Sequence, residues 1–521
     1  MTVFVATGCG SSSHPSPTPS GGTSSPTTPA GGTTVSNGFG PTSTATLKTN
    51  FPIPGGAVFV ATTGNDAAAG TKTAPLRTLA AAVTKAPSGG TIVLRGGTYR
   101  ETVASVTKRL TIQPYPQESV WLSGSDVITG WTKSGNGWRS TTWRSSLCQT
   151  CYKPDAVNAS HPQAGKPNQV FVNGVGLNQV GNDAQLNSNT FYLDSSGAMV
   201  IGRDPAGAQV EASTRWKAIQ LNGAASGSTI RGIGFKQYAP VWNETQLGAV
   251  IINTTNVNFT GNIVTQSAGT GLAILAAGAE VTGNTISRNG YRGVVANKAD
   301  DLVLTNDRFD VNNTAGFNIT SCGWYCTVAG VKVTHTRNIT VTASSFQQNG
   351  GSGFWCDLGC INTTITGNIV SDNASSGLFY EVSEKATISD NYIAHNNRGL
   401  KISGSATVAV THNQFVENPI ALGVYDDPRS PSTDNYSAAN GLTWNTAGVS
   451  VTGNLFLNAS GKTTRILDTN STSQVSAPAM FRTFSGNTFT PATTGKVYWC
   501  PSSSCVTYPN MATFQNAVNL H

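Results

Sequence analysis

Four side chains in the middle of this 521-residue chain have types and spacings suited to chemistry: Lys332, Asp357, Glu381 and Lys401. Each is set by a small residue at the head of a repeated phrase. Gly330, Gly353, Gly377, Gly399 and Ala421 follow one another at intervals of 23, 24, 22 and 22 residues. In an extended strand, successive side chains point to opposite faces. The positions one and three after the small residue are Val331/Val333, Phe354/Cys356, Leu378/Tyr380, Leu400/Ile402 and Leu422/Val424, so this is the buried side. The positions two and four after it are Lys332/Thr334, Trp355/Asp357, Phe379/Glu381, Lys401/Ser403 and Gly423/Tyr425, with Asp426, Asp427 and Arg429 next in a loop. A slip by one residue would bury Asp357 and Glu381 and expose Phe354 and Leu378, which the cost of burying charge opposes.

If these strands stack in register at about 4.8 Å, Asp357 and Glu381 become neighbours. Like charges opposed on a sheet are destabilising, so something must offset them: a shifted pKa, Lys332 and Lys401, or a bound cation such as Ca²⁺ held by Asp357 and Glu381. Three readings stay open, with an enzyme of the first, lyase-like kind expected and the other two as alternatives. Lys332 or Lys401 as base, with a cation neutralising a uronate carboxylate, gives β-elimination. Asp357 with Glu381 suits a retaining glycoside hydrolase, and Glu381 with Asp426 the wider inverting spacing. A face that only binds glycan would use the same groups, with Trp355 and Phe379 as platforms for sugar rings and Ser403, Tyr425, Asp426, Asp427 and Arg429 as polar contacts. The bland alternative is a solvated face whose charges pair with one another. Arg292 and Lys298 would extend a groove, whereas His335, His395 and His412 read as turn or ladder residues.

The elements that position these groups repeat. The phrase apolar-Thr-Gly-Asn recurs at Phe259–Asn262, Val281–Asn284, Ile365–Asn368 and Val451–Asn454, with variants ending at Asn391, Asn413 and Asn487 and with Asp307 and Ser344 in the Asn place. Along this column the spacing is 22, 23, 37, 24, 23, 22, 41 and 33, a period of 22–24 interrupted by inserted loops. A second column follows five residues later: Asn289, Asn312, Asn349, Asn373, Asn396 and Asn418. Units this short cannot bury an apolar face alone; stacking them makes one continuous core. Asn can adopt the left-handed conformation at a bend, and stacked Asn side chains can hydrogen-bond as a ladder. The expected fold is all-β, a right-handed parallel β-helix. The repeats over 215–490 and the coil at 58–125 resemble the pectate-lyase-like superfamily of parallel β-helix proteins. The resemblance implies the fold and leaves the reaction open, because this architecture carries many functions.

The rest of the chain divides around that solenoid. Leu79, Ala80, Val83 and Ala86 space out as one helix face, ended by Gly89-Gly90, and are expected to cap the open end of a β-helix spanning 58–490. Residues 125–215 break the period and read as a small β-rich insertion, and 491–521 as a C-terminal extension. Residues 10–45 are Ser, Thr, Pro and Gly, a solvated linker. Val5 to Cys9 is similar to the end of a bacterial lipoprotein signal, so 1–9 is the expected remnant of one and Cys9 the lipidated residue.

Composition narrows the partners. The net charge is +7 with no run of Lys or Arg, which argues against a nucleic-acid surface. No apolar run reaches a membrane span, so membrane contact is expected only through a lipid anchor. Eight of nine cysteines form local pairs, Cys148/Cys151, Cys322/Cys326, Cys356/Cys360 and Cys500/Cys505, as in loop-clamping disulfides of an exported protein. A zinc site would require distant pairs to converge. The expectation is a monomer outside the cell or on its surface, whose partner is polysaccharide.

Overall fold

A computed structural model describes residues 38–152, 156–157, 159–241, 247–320, 327–458, 464–470, 475–491 and 495–518. The chain winds as a right-handed parallel β-helix with three sheets. The first sheet has 13 strands, from Val58–Val60 to Phe481–Ser485. The second also has 13, from Val103–Val106 to Val506–Tyr508, and carries the candidate residues. The third runs as five strands and then six, joined through isolated bridges at Arg308. Contacts between neighbouring coils are parallel and in register, as the spacing requires: Val331 faces Phe354, Phe354 faces Leu378, Leu378 faces Leu400 and Leu400 faces Leu422. Between residues 229 and 490 the described helices have at most five residues.

Both Asn columns form continuous ladders. In the first, Asn262 accepts from Ile233 N–H, and its own N–H and Nδ2 donate to Asn284 Oδ1; the pattern continues through Asn368, Asn391, Asn413 and Asn454. The second runs from Asn289 to Asn418 in the same way. Each ladder Asn also donates to a main-chain carbonyl of the preceding coil, for example Asn284 Nδ2 to Phe259 O at 2.8 Å. The left-handed residue of the bend is the one before the ladder Asn, not the Asn itself: Gly283 has φ +67° and Gly367 φ +69°. That is why the phrase reads Thr-Gly-Asn.

The ends and the insertion are distinct. A helix at Leu79–Lys85, N-capped by Thr78, lays Leu79, Ala82 and Val83 on the first coil. At the other end the helix Met511–Ala517 buries Met511 and Phe514 against Trp499 and Tyr508. Residues 125–213 form an eight-stranded, mainly antiparallel sheet with its own core of Ile128, Trp143, Val170, Phe191, Met199 and Ile201. The coil is continuous across it, since Val103–Val106 pairs directly with Ile219–Asn222. Disulfides join Cys148 to Cys151, Cys356 to Cys360 and Cys500 to Cys505. Cys322, Cys326, Cys9 and the linker up to residue 37 lie outside the described residues. The last part of the expected linker, 38–45, contacts the coils, with Gly40 N–H donating to Gly367 O and Thr42 N–H to Asn306 Oδ1.

Candidate functional site

The outward column of the second sheet, read coil by coil, is Ile251, Ala273, Val295, Lys332, Trp355, Phe379, Lys401 and Gly423. Over its middle lies a pocket of about 290 Å³. Trp355, Phe379 and Lys401 form its floor, and Asp357, Glu381 and Arg429 line one side. Ile319, Thr327 and Val328 close a second side. Ser352, Ser375, Ser376 and Arg398 complete the lining.

Two carboxylates meet here in different settings. Asp357 Oδ2 accepts from Lys332 Nζ at 2.6 Å, and its Oδ1 accepts from Leu358 N–H. Glu381 accepts from Trp355 Nε1 at 2.9 Å and from Arg429 at 2.5 Å, while Arg429 also grips Asp427. Burial, and then the charge of Asp357, push the Glu381 carboxyl above its usual value. Burial pulls the Lys332 ammonium down to about 8, against the opposing pull of Asp357. Lys401 is also lowered by burial. Among the described residues it makes no ion pair, and its ammonium sits 4.0 Å from the Phe379 ring centre.

The rings form one stack. Trp355 and Phe379 lie 4.9 Å apart and 19° from parallel, with Lys332 Nζ 3.2 Å from the Trp355 ring centre and Lys401 over the far side of Phe379. This follows from register: one outward position on successive coils sets flat side chains face to face. It also corrects the expected sugar platforms, because each ring face is taken by its neighbour or by a cation.

Several other expectations change. The face is outward but not open: Lys332 is 3% exposed and Asp357 8%. Lys332 lies behind the pocket lining and positions Asp357, so it is not the base expected to touch a substrate. Asp426 turns away; its Oδ2 accepts from Val475 N–H and its N–H donates to Asn470. It therefore does not supply the wide carboxylate pair with Glu381. Asp427 acts through Arg429. Ser403 is buried beside the pocket, and Tyr425 lies at its edge with its hydroxyl donating to Asp468 at 2.7 Å. Arg292 extends no groove: it is buried and holds Thr327, donating from Nε to its carbonyl at 2.8 Å. Lys298 is not in the lining.

Arg398 was not singled out from the sequence. Strict alternation from Leu400 turns it inward, but it is the first residue of its strand, beside the bend, and it lines the pocket. The wall residues carry no chemical signature in the sequence; they lie at the ends of an inserted loop. For the calcium expected on Asp357 and Glu381, the two carboxylates fall short of the six to eight oxygens that ion takes. Among the described residues no three His, Cys, Asp or Glu side chains gather as a metal cluster would.

One family model and one solved structure among the comparisons with known proteins support the architecture. Residues 217–328 match the family described as right handed beta helix region, 305–490 the periplasmic copper-binding protein (NosD) family, and 62–108 a protein of unknown function (DUF1565). An uncharacterized protein of Bacillus subtilis (strain 168), YwoF, is 39% identical over 85 residues, 15% of this chain and 18% of that protein's length. Among solved structures, XylC in complex with xylose superposes with a TM-score of 0.53 at 16% identity, over 79% of this chain and 71% of that one. A glycoside hydrolase gives 0.47 at 13% identity, over 83% and 96%. This chain is a right-handed parallel β-helix protein with the pectate-lyase-like fold.

Proposed function

We propose that this chain is an exported polysaccharide-active enzyme that cleaves a glycosidic bond in the pocket over Asp357 and Glu381. The observation that carries the reading is the pair of carboxylates lining one pocket in different settings. Asp357 is ion-paired with the buried Lys332, and the Glu381 carboxyl is raised by burial and by the charge of Asp357. Pairs whose environments differ in this way divide acid and base roles between them. In hydrolysis Glu381 gives its proton to the leaving glycosidic oxygen as the C–O bond breaks. Asp357 attacks the anomeric carbon as that bond breaks, and water, giving its proton to Glu381, then displaces Asp357 and releases the sugar, the retaining course that carboxylates on adjacent coils suit. Arg429 and Trp355 orient Glu381, and Lys332 holds Asp357. The solved structure of a likeness to this fold, XylC, contains xylose, which is in keeping with a sugar ligand, and three disulfides suit an oxidising compartment. Lipidation of Cys9 would tether the enzyme to a membrane, and an intact mass of the mature N-terminus tests it.

A second reading, β-elimination on a uronate glycan, is favoured by Lys401 and Arg398. Both line the pocket, and among the described residues neither has an ion-pair partner. Lys401, lowered by burial, would take the C5 proton as the C4–O bond breaks to leave a C4=C5 double bond, the leaving oxygen would take a proton from water, and Arg398 would face the substrate carboxylate. Calcium on Asp357 and Glu381 belongs to this reading, and activity restored by Ca²⁺ after chelation would support it. Polygalacturonate, alginate, glucuronoxylan and hyaluronan, assayed for both reducing ends and unsaturated-uronate absorbance, separate the cases. Reducing ends without absorbance are expected; absorbance rising with them replaces hydrolysis by elimination. Silence in both on a broad glycan panel, with binding retained, leaves a glycan-binding solenoid.

A further inference from the structure

We infer that the pocket accepts the terminus of a glycan, a chain end or the end of a branch, and not the middle of a chain running along the solenoid. The inference rests on the reading above and adds the mode of attack. An internal bond can be reached only if the surface continues as a groove on both sides of the cleaving groups. Here the outward column is filled on both.

On the N-terminal side, Lys332 and Val295, the next two rungs before Trp355, are 3% and 4% exposed, and Ala273 and Ile251 before them are buried too. The cover is identifiable. Leu247 and Leu275 pack over Ile251, Ala273 and Val295. The loop ending in Thr327 and Val328 stands beside the pocket, pinned by Arg292 and by the Tyr291 hydroxyl. It is backed by the insertion: Ala156 and Ala164 pack with Tyr291, Phe317 and Val328, and Asn318 N–H donates to Ala156 O at 2.8 Å. The insertion thus buttresses the wall that ends the pocket.

On the C-terminal side the rung after Lys401 is Gly423, and the Tyr425 ring folds over it. A Cβ added at Gly423 would lie 2.4 Å from that ring, so only glycine fits beneath it. Tyr425 is fixed by its hydrogen bond to Asp468 and by the Arg398 guanidinium, 5.1 Å from the ring centre. Between these two ends the floor is three rungs, Trp355, Phe379 and Lys401, about 10 Å along the axis at the usual strand spacing. At about 290 Å³ the pocket is at the lower edge of small-ligand sites.

The test follows the size of the products and uses the full chain. On whichever panel polysaccharide is cleaved, the reducing-end count should rise with little fall in viscosity, and the first products should be mono- or disaccharide. An early collapse in viscosity with a ladder of oligomers would overturn the inference while leaving the enzyme reading intact. If no polysaccharide is cleaved, the enzyme reading fails, and the Glu381→Gln chain is titrated with polygalacturonate of long and short mean length at equal mass. Binding that follows the molar number of chain ends supports a terminus site. Binding that follows mass, or no binding to any panel glycan, overturns it.

Discussion

The same coils present two different outer faces. On the first sheet the outward column after each inward apolar residue is Thr260, Thr282, Thr305, Thr342, Thr366, Ser389, Thr411 and Thr452, small hydroxyls that are half-buried and open to solvent. On the second sheet the corresponding surface is Lys332, Trp355, Asp357, Phe379, Glu381 and Lys401, large and charged, with Lys332, Asp357 and Phe379 less than 9% exposed. The inward residues beneath both faces are equally apolar, and both Asn ladders run unbroken past them. The scaffold is therefore indifferent to which face carries the site. The difference comes from loops. The first sheet's column stays bare, while Phe317, Ile319, Thr327 and Val328 on one side and the 426–446 loop on the other cover the second and take its charges out of water.

Desolvation makes the second face sensitive to substitution, and this can be broken in stages. The largest effect on stability is expected from Lys332→Met. It leaves Asp357 buried without its cation, which costs about 3–5 kcal/mol, and denaturant unfolding of the variant measures it. Relief of the opposed like charges on neighbouring coils would by itself raise the melting temperature of Asp357→Asn, but the buried lysine outweighs it. Loss of Asp357 strands Lys332, so a fall is expected.

A smaller effect concerns the ladder. Asp307 stands in an Asn column; its Oδ1 accepts from Asn284, while its Oδ2 is buried with no partner. Burial raises its pKa well above the usual value. A carboxyl raised on folding contributes stability that is present at low pH and lost as pH rises through its folded value. Asp307→Asn restores the amide donor that the other rungs use. Its gain in stability is expected to be smallest in acid and to grow toward neutral pH, up to the roughly 1–3 kcal/mol of a buried unmet polar group. Thermal melts at several pH values read this out.

The smallest effect is on the bare face. Thr366→Val should shift stability by no more than about 0.5 kcal/mol and leave glycan cleavage unchanged. A large loss of activity there would mean that function is not confined to the second sheet.

The parts that were legible in the sequence share a cause. Fold, register and the outward placement of Asp357 and Glu381 follow from a period of 22–24 and from alternation, both local and repeated. What escaped depends on the inserted loops, which have no period. Alternation assigns Lys332 to the outer face and cannot say that the loops will cover it, nor that stacking will close the ring faces of Trp355 and Phe379. It misassigns Arg398 because the residue sits at a bend. Asp426 and Asp427 were legible as a charged loop, but their partners, Val475 and Arg429, are set by how that loop folds back.

Glu381→Gln is the cleanest probe of the pocket, since an amide can still accept from Trp355 and Arg429 keeps Asp427. Turnover of the cleaved polysaccharide by this variant, measured beside its melting temperature, tests the central claim. A loss of about 10²–10⁴-fold with the melting temperature nearly unchanged is the expected result. Because the folded-state pKa of Glu381 is raised, the wild type should also lose activity as pH rises and the acid loses its proton. Full turnover by Glu381→Gln would contradict the account.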